Sequence, residues 1–573
     1  MKPWLFGNTT VRSPFRLRDG LQILQHSRLH GNLRGQEAEC EFCRLLGTEG
    51  IIDPKGDDTC SVGRKWRSAL TQMGFLYPKL QGQFASLQDD WGKPDTLTES
   101  GIRLVQAETV GGWQECFLRA LAACYLPSLL EPAHKCPRFS PLRHTLAIML
   151  ELEDHTGTEA LSFLEMALFI QRTSSENPIS QLAIDIMDFR SRREASESKR
   201  KFDDSAFKQA QNEDGIKAQS IKDYADTNLR YLKATGLFQN KGRGIVFVAE
   251  KRSLIRALVQ DSSIPEMDMD ILIGIASGSK LPTDEFSGAW AAMEGLISAL
   301  KTHGMETVIP DGLTVVADIS TFCHHLEEKL NKLKEKNYAL NQRMQVKEIL
   351  AYLGLLKKQR NRSILLEDGE TIEIPSSDAP AYFEWIIWRA FLAINSLVNP
   401  PWEARRFKVD QGFMPVSTAP GNGSDMIFEF DDMVLVVEVT LTSSSRQEAA
   451  EGEPVRRHVA QYAERFAETG KQIFGLFLAV NIDTNTANTF KLGEWYLKDD
   501  RKLDLHIVPM SLDDFTALFA AFAQEPAKLL PWLKLLLRDC RMYANKDAPE
   551  WKQKITQLTQ QIIKKQHTDG CEY

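Results

Sequence analysis

Two carboxylates, Asp425 and Glu438, bracket a strongly apolar stretch, SDMIFEFDDMVLVVEVTLTSSS. The β-branched residues of MVLVVEVTLT read as a strand, because branched side chains pack well on a pleated surface. A carboxylate buried in such a strand is unfavourable unless it is paired, protonated or bound to a cation. Asp431 and Asp432 read as a tight turn between strands Met426–Phe430 and Met433–Thr442. With a two-residue loop, cross-strand partners have numbers summing to 863, so Phe430 faces Met433, Phe428 faces Leu435 and Asp425 faces Glu438. Opposed Cβ atoms in an antiparallel pair lie about 4.5–5.5 Å apart, where like charges repel. Two carboxylates so placed suit a hard divalent cation: Mg²⁺ takes one or two and keeps waters for a substrate phosphate. The alternatives are a proton-sharing pair, or a slipped register that parts them.

A length of 573 residues calls for several domains, and 43% hydrophobic with 25% charged content is that of a globular chain with a sizeable core. No run reaches the roughly 18 apolar residues of a membrane helix; LLPWLKLLL is short and carries Pro531 and Lys534. The N-terminus MKPWLFGNTTVRSPFR has no apolar signal region, so no membrane association is expected and the cytoplasm is the default compartment. Nine cysteines without regular spacing read as free thiols of a reducing compartment, Cys40 and Cys43 sharing a helix face. A net charge of −8 argues against a generic nucleic-acid binder, yet residues 190–256 hold 16 basic against 9 acidic groups, and residues 1–36 hold six against one. Such local basic stretches suit either a phosphate-facing side or solvated helix faces.

Along the first 300 residues one rhythm occurs twice. GRKWRSALTQMGFL reads as an amphipathic helix stopped at Gly74, followed by an extended stretch and DTLTESGIRLVQ, a helix capped by Thr98 or Ser100. IKDYADTNLRYLKATGLFQNKGRGIVFVAEKRSLIRALV repeats helix, glycine stop at Gly236, hairpin and helix, with a basic turn QNKGRG. Both read as winged helix-turn-helix modules, a shape used for DNA or for protein contacts. Between them the polar run SRREASESKRKFDDSAFKQAQNEDG reads as an exposed loop. TFCHHLEEKLNKLKEKNYALNQRMQVKEIL reads as a helical linker or hairpin, or as a dimerisation coiled coil. AYFEWIIWRAFLAINSL is a buried helix, and IFGLFLAVNI and LDLHIVPMSL are further strands. The expected architecture is multidomain α+β: winged-helix-like recognition modules over residues 1–150 and 151–300, a helical linker over 301–372, and an α/β domain over 373–573.

FEWIIWRAF, PVSTAPGNGSDM followed by VVEVT, and EPVRRH give the chain a resemblance to the AlwI/BstNBI-like type IIS restriction and nicking endonucleases, within the PD-(D/E)xK nuclease superfamily. Weaker echoes run through ATGLF and LTESG to RSPFR. The resemblance implies that Glu384, Asp425, Glu438 and Glu453 form an acidic active-site cluster. Glu384 lies on an almost wholly apolar helix, where a salt bridge to Arg389 is the competing explanation. Glu453 precedes Pro454 and is expected at a helix N-terminus, with Arg456, Arg457 and His458 in the first turn; the arginines would hold a phosphate. The superfamily's lysine two residues after the strand glutamate is replaced by Thr440, which leaves Glu453, His458 or a water on the ion to orient the nucleophile.

The implied reaction is Mg²⁺-assisted phosphodiester hydrolysis, with Asp425, Glu438 and the Val439 carbonyl as ligands. The resemblance also implies recognition of double-stranded DNA, with base contacts supplied by the N-terminal half because phosphate contacts carry no sequence. Candidates are Arg12, Arg16 and Arg18 in the N-terminal arm, Arg64, Lys65 and Arg67 in GRKWR, and Lys241 and Arg243 in the second wing. One chain carries one active site, so it would nick one strand or join a small catalytic subunit or transient twin for the other. A non-catalytic regulator with a degenerate nuclease domain is the rival, supported by Thr440.

Overall fold

The structure, a computed structural model, describes residues 2–52, 59–261, 263–358, 362–366, 371–443 and 445–569; Cys571 lies outside them. The chain divides into two compact units, residues 1–330 and 331–573.

The first unit is mostly helical. Helix Ser61–Gln72 buries Gly63, Trp66, Ala69 and Leu70 along one face, and Gly74 at φ 72° ends it. A Cβ there would lie 2.2 Å from the Ile275 carbonyl oxygen, so only glycine fits. The following segment is tied by a single bridge, Leu76–Leu97, around short turns at Gly82–Leu87 and Gln88–Trp91, so no two-stranded wing forms there. Of the two candidate caps, Thr98 is the one used: its hydroxyl accepts from Gly101 N at 3.0 Å ahead of helix Glu99–Gln106. The second rhythm is realised element by element as helix Ala218–Ala234, hairpin Phe238–Lys241 with Gly244–Phe247, and helix Arg252–Gln260. Leu161 adds to this hairpin through paired backbone bonds with Ile245.

Two expectations are corrected in this unit. The polar run is helical, not a loop: Lys199–Asp214 forms a helix capped by Ser198 that buries only Phe207 and Ala210, too narrow a stripe to show against so many charges. Cys40 and Cys60 form a disulfide rather than free thiols. Packing of helices Gln36–Thr48 and Ser61–Gln72 brings them together with Cα atoms 4.8 Å apart, a proximity that irregular spacing does not reveal.

Buried His144 carries the unit's clearest acid liability. Its Nε2 meets the Thr173 hydroxyl at 3.0 Å, and burial lowers its pKa from 6.5 to about 4. The unfolded chain therefore takes up this proton near pH 6.5, and the folded chain only near pH 4. The neutral ring's contribution is complete above pH 6.5 and is lost progressively as pH falls to about 4. At 1.36 kcal/mol per pKa unit the loss is about 3 kcal/mol. Urea midpoints at pH 7 and pH 4.5 should differ less in His144→Gln than in wild type; equal differences would refute the assignment.

In the second unit the second half of the expected linker is core. Helix Val316–Asn341 crosses the division of the chain, and α1 (Val346–Leu356) buries Ile349, Leu353 and Leu356 in the same cluster as α2 (Ala379–Ile394). The main sheet then takes four strands: β1 (Met426–Glu429) and β2 (Met433–Thr440), then, after α3 (Arg446–Arg465), β3 (Gln472–Ala479) and β4 (Ile507–Ser511), with α4 (Leu529–Met542) beyond. Their order is β4-β3-β2-β1; β1 and β2 form a hairpin, while β2, β3 and β4 run parallel. A parallel centre covered on both faces needs continuous apolar strands, and Met433–Val437 is buried throughout. α2 seats Phe391 against Phe428 at 4.2 Å. The β1 edge is blocked by Val398 and Asn399, which bond the backbone of Ile427 and Glu429. Among the described residues no helix is long and apolar enough to cross a membrane.

Candidate active site

The β1–β2 register follows the 863 rule: Met426 pairs with Val437 and Phe428 with Leu435. Extended by one residue, it sets Asp425 across from Glu438. Asp425 Oδ2 accepts from Val439 N at 2.8 Å, and its carboxyl group lies against that of Glu438. Two carboxyls this close keep a proton between them unless a cation replaces it. Burial, then Glu438, holds Asp425 well above the usual carboxylate range. Burial, then Glu451, pushes Glu438 up to about 8.

Glu384 projects from the middle of α2, 5% exposed. Arg389 does not pair with it; that guanidinium bonds Gln342 and Glu348 at 2.6 and 2.7 Å. Glu384 Oε2 instead accepts from Ala419 N at 2.8 Å, anchoring the PGNGSD loop that carries Asp425. Burial and Asp425 raise its pKa.

The expected place of Glu453 is corrected. α3 begins at Arg446, so Pro454 lies inside the helix and Glu453 is mid-helix. It is exposed and bonds Arg457 Nε at 3.0 Å, one turn on. Its place toward the cluster is taken by Glu451, which the sequence reading missed. Glu451, Val455 and His458 fall at i, i+4 and i+7 on one helix face, and Val455 and His458 are buried. Burial raises the Glu451 pKa, while a Thr440 hydrogen bond and His458 pull it down. The available signal was this heptad spacing from His458, hidden by reading Pro454 as the helix start. Gln447 locks the first turn of α3, accepting from Asp483 N and donating to Asn481 O, both at 2.9 Å.

His458 Nδ1 lies 2.7 Å from Glu438 Oε1, and its Nε2 is buried without a hydrogen-bond partner among the described residues. Burial, with Arg457 next, lowers its pKa. Thr440 stands at the position of the absent lysine, 8% exposed, with its hydroxyl accepting from Thr442 N at 3.2 Å.

Among the described residues no three His, Cys, Asp or Glu side chains enclose an ion by themselves. The donor set still fits Mg²⁺, which needs only one or two protein carboxylates: Asp425 and Glu438 are hard oxygen donors, and the orphaned His458 Nε2 marks unmet polar capacity beside them.

The expected DNA contacts separate into two groups. Arg12 pairs with Asp223 at 2.9 Å, Arg16 donates to Ile51 O, Arg18 lies 4.9 Å over the Trp113 ring, and Arg67 pairs with Glu39 at 2.7 Å. Arg456 donates to Glu494 O and covers Trp495, so it and Arg457 both have intramolecular partners. Arg64 and Lys241 are exposed, Lys65 is half-buried, and Arg243 is exposed while lying 4.7 Å over the Phe163 ring.

A buried carboxylate cluster with an adjoining histidine has the chemistry of a hydrolytic site for a phosphate ester. Residues 71–518 match the AlwI restriction endonuclease family, most of the chain. The chain belongs to that family and is a site-specific deoxyribonuclease. Among solved structures, the small subunit (R.BspD6I2) of the heterodimeric restriction endonuclease R.BspD6I is similar at 24% identity, over 36% of this chain and 97% of its own, with a TM-score of 0.28. No curated protein matches.

Proposed function

We propose that the chain is a type IIS enzyme of the cytoplasm that binds a short asymmetric duplex sequence with its N-terminal half and hydrolyses one phosphodiester bond to the side of it. The observation that carries the cutting site is the meeting of Asp425, Glu438 and Glu451 at the β2–α3 junction with their pKa values raised together. Buried like charges are unfavourable unless something positive joins them, and the Asp425–Glu438 pair would hold Mg²⁺, with the Val439 carbonyl as a third donor. When bound, the ion would neutralise charge on the phosphate and ease ionisation of the attacking water. The protein's own groups do the rest. Glu384 fixes the loop that presents Asp425. His458, steadied by Glu438 at Nδ1, keeps Nε2 available to hold a water or receive its proton. Glu451, restrained by Thr440, supports both.

For recognition, helix Ala218–Ala234 with its hairpin acts as a winged helix, the helix in the major groove and Lys241 and Arg243 along the backbone. Arg64 and Lys65 extend from helix Ser61–Gln72 toward a second contact. A single chain with one site nicks one strand, and a small catalytic subunit or a transient twin cuts the other. Incubating the chain with supercoiled plasmid and Mg²⁺, then mapping the ends, tests this. Open circles with breaks on one strand, at a fixed offset from one short sequence, are expected. Specific DNA retention with no cutting would favour the regulator instead.

A further inference from the structure

With Thr440 in place of lysine, positive charge for the phosphate must come from another part of the fold. The basic residues near the cluster mostly have acidic or backbone partners: Arg405 grips Glu335 at 2.7 and 2.9 Å, Arg457 pairs with Glu453, and Arg456 is bonded to Glu494 O. Arg406 differs. Its Nη1 donates to Ser424 O at 3.1 Å, its Nη2 to Asn422 Oδ1 at 2.6 Å, and its backbone N–H to Asp425 O at 3.2 Å. The guanidinium thus lies along the loop that leads into Asp425. Gly423 permits this approach, since a Cβ there would sit 2.0 Å from Nη1. Among the described residues Arg406 has no carboxylate partner. Its charge nevertheless reaches both Glu438 and His458, and the side chain is half-exposed. A guanidinium has five N–H donors, so three remain for another acceptor.

We propose that Arg406 contacts the scissile phosphate and supplies the positive charge that the motif lysine would otherwise bring. The assignment rests on the nuclease reading above. A planar, permanently charged fork matches phosphate geometry, and the Asn422 and Ser424 bonds aim it before substrate arrives.

The test combines single-turnover cleavage in Mg²⁺ with binding of a duplex carrying the mapped site in EDTA across salt concentrations. Arg406→Ala should slow cleavage by about 100-fold or more, as expected for loss of a preorganised group at a developing oxyanion. It should also lower the slope of log Kd against log salt by about 0.9, one phosphate contact. Arg406→Lys should restore the slope and part of the rate. Asn422→Ala, which removes one of the two bonds that aim the guanidinium but keeps its charge, should leave the slope unchanged and slow cleavage less than Arg406→Ala does. Slow cleavage with an unchanged slope would assign Arg406 to loop support and overturn the contact. Wild-type-like cutting by Arg406→Ala beside an inactive Asp425→Asn would overturn it too while sparing the nuclease reading. Failure of the wild-type chain to cut any DNA would overturn both.

Discussion

The Asp425→Asn chain is expected to lose cleavage and to gain stability when no divalent cation is present. Asparagine keeps an acceptor for Val439 N, so the hairpin end stays anchored. It cannot carry negative charge, so one ligand for the ion disappears. Metal assistance stabilises such transition states by several kcal/mol, which corresponds to about 10³-fold or more in rate. The same change removes a carboxyl that the metal-free fold can bury beside Glu438 only by taking up a proton. The gain in EDTA should be on the order of 1 kcal/mol, one pKa unit of relieved interaction. Urea titrations with and without Mg²⁺ read both effects. Mg²⁺ should stabilise wild type and leave the variant unmoved, and DNA binding should persist in each. Equal stabilisation of both chains by Mg²⁺ would place the ion elsewhere.

A second large difference is expected between two glutamates only two residues apart. Glu451→Gln should reduce cleavage by about 100-fold or more, since it removes a charge set against Asp425, Glu438 and His458. Glu453→Gln should cut nearly as well as wild type, because it breaks only an exposed pair with Arg457, a contact of at most about 1 kcal/mol. Matched circular dichroism and single-turnover rates for the two variants decide the point. A reversed order would mean that α3 presents its other face to the strands.

Pro454 is favoured at a helix start, so it drew the expected boundary eight residues late. The real helix tolerates it inside, held at its first turn by Gln447, and with the boundary moved, the face carrying Glu451 and His458 comes into register. Spacing alone allows Glu384 either a salt bridge to Arg389 or a site role; Gln342 and Glu348, distant in the chain, occupy Arg389. The first wing failed for a related reason: a glycine stop and a capped helix are local signals, but strand pairing between them needs partners that only a single bridge provides.

By itself the sequence determined the hairpin register, the apolar helix α2, the second helix–hairpin–helix unit and the family resemblance. Each depends on local rules: a two-residue turn with alternating faces, an unbroken apolar run, a glycine stop, a short motif. The tertiary structure alone decided which α3 glutamate joins the cluster, which arginines already have partners, that Cys60 meets Cys40, and that Arg406 lies beside Asp425. Those outcomes depend on groups far apart in the chain competing for the same partners, and spacing along the sequence carries no record of that competition.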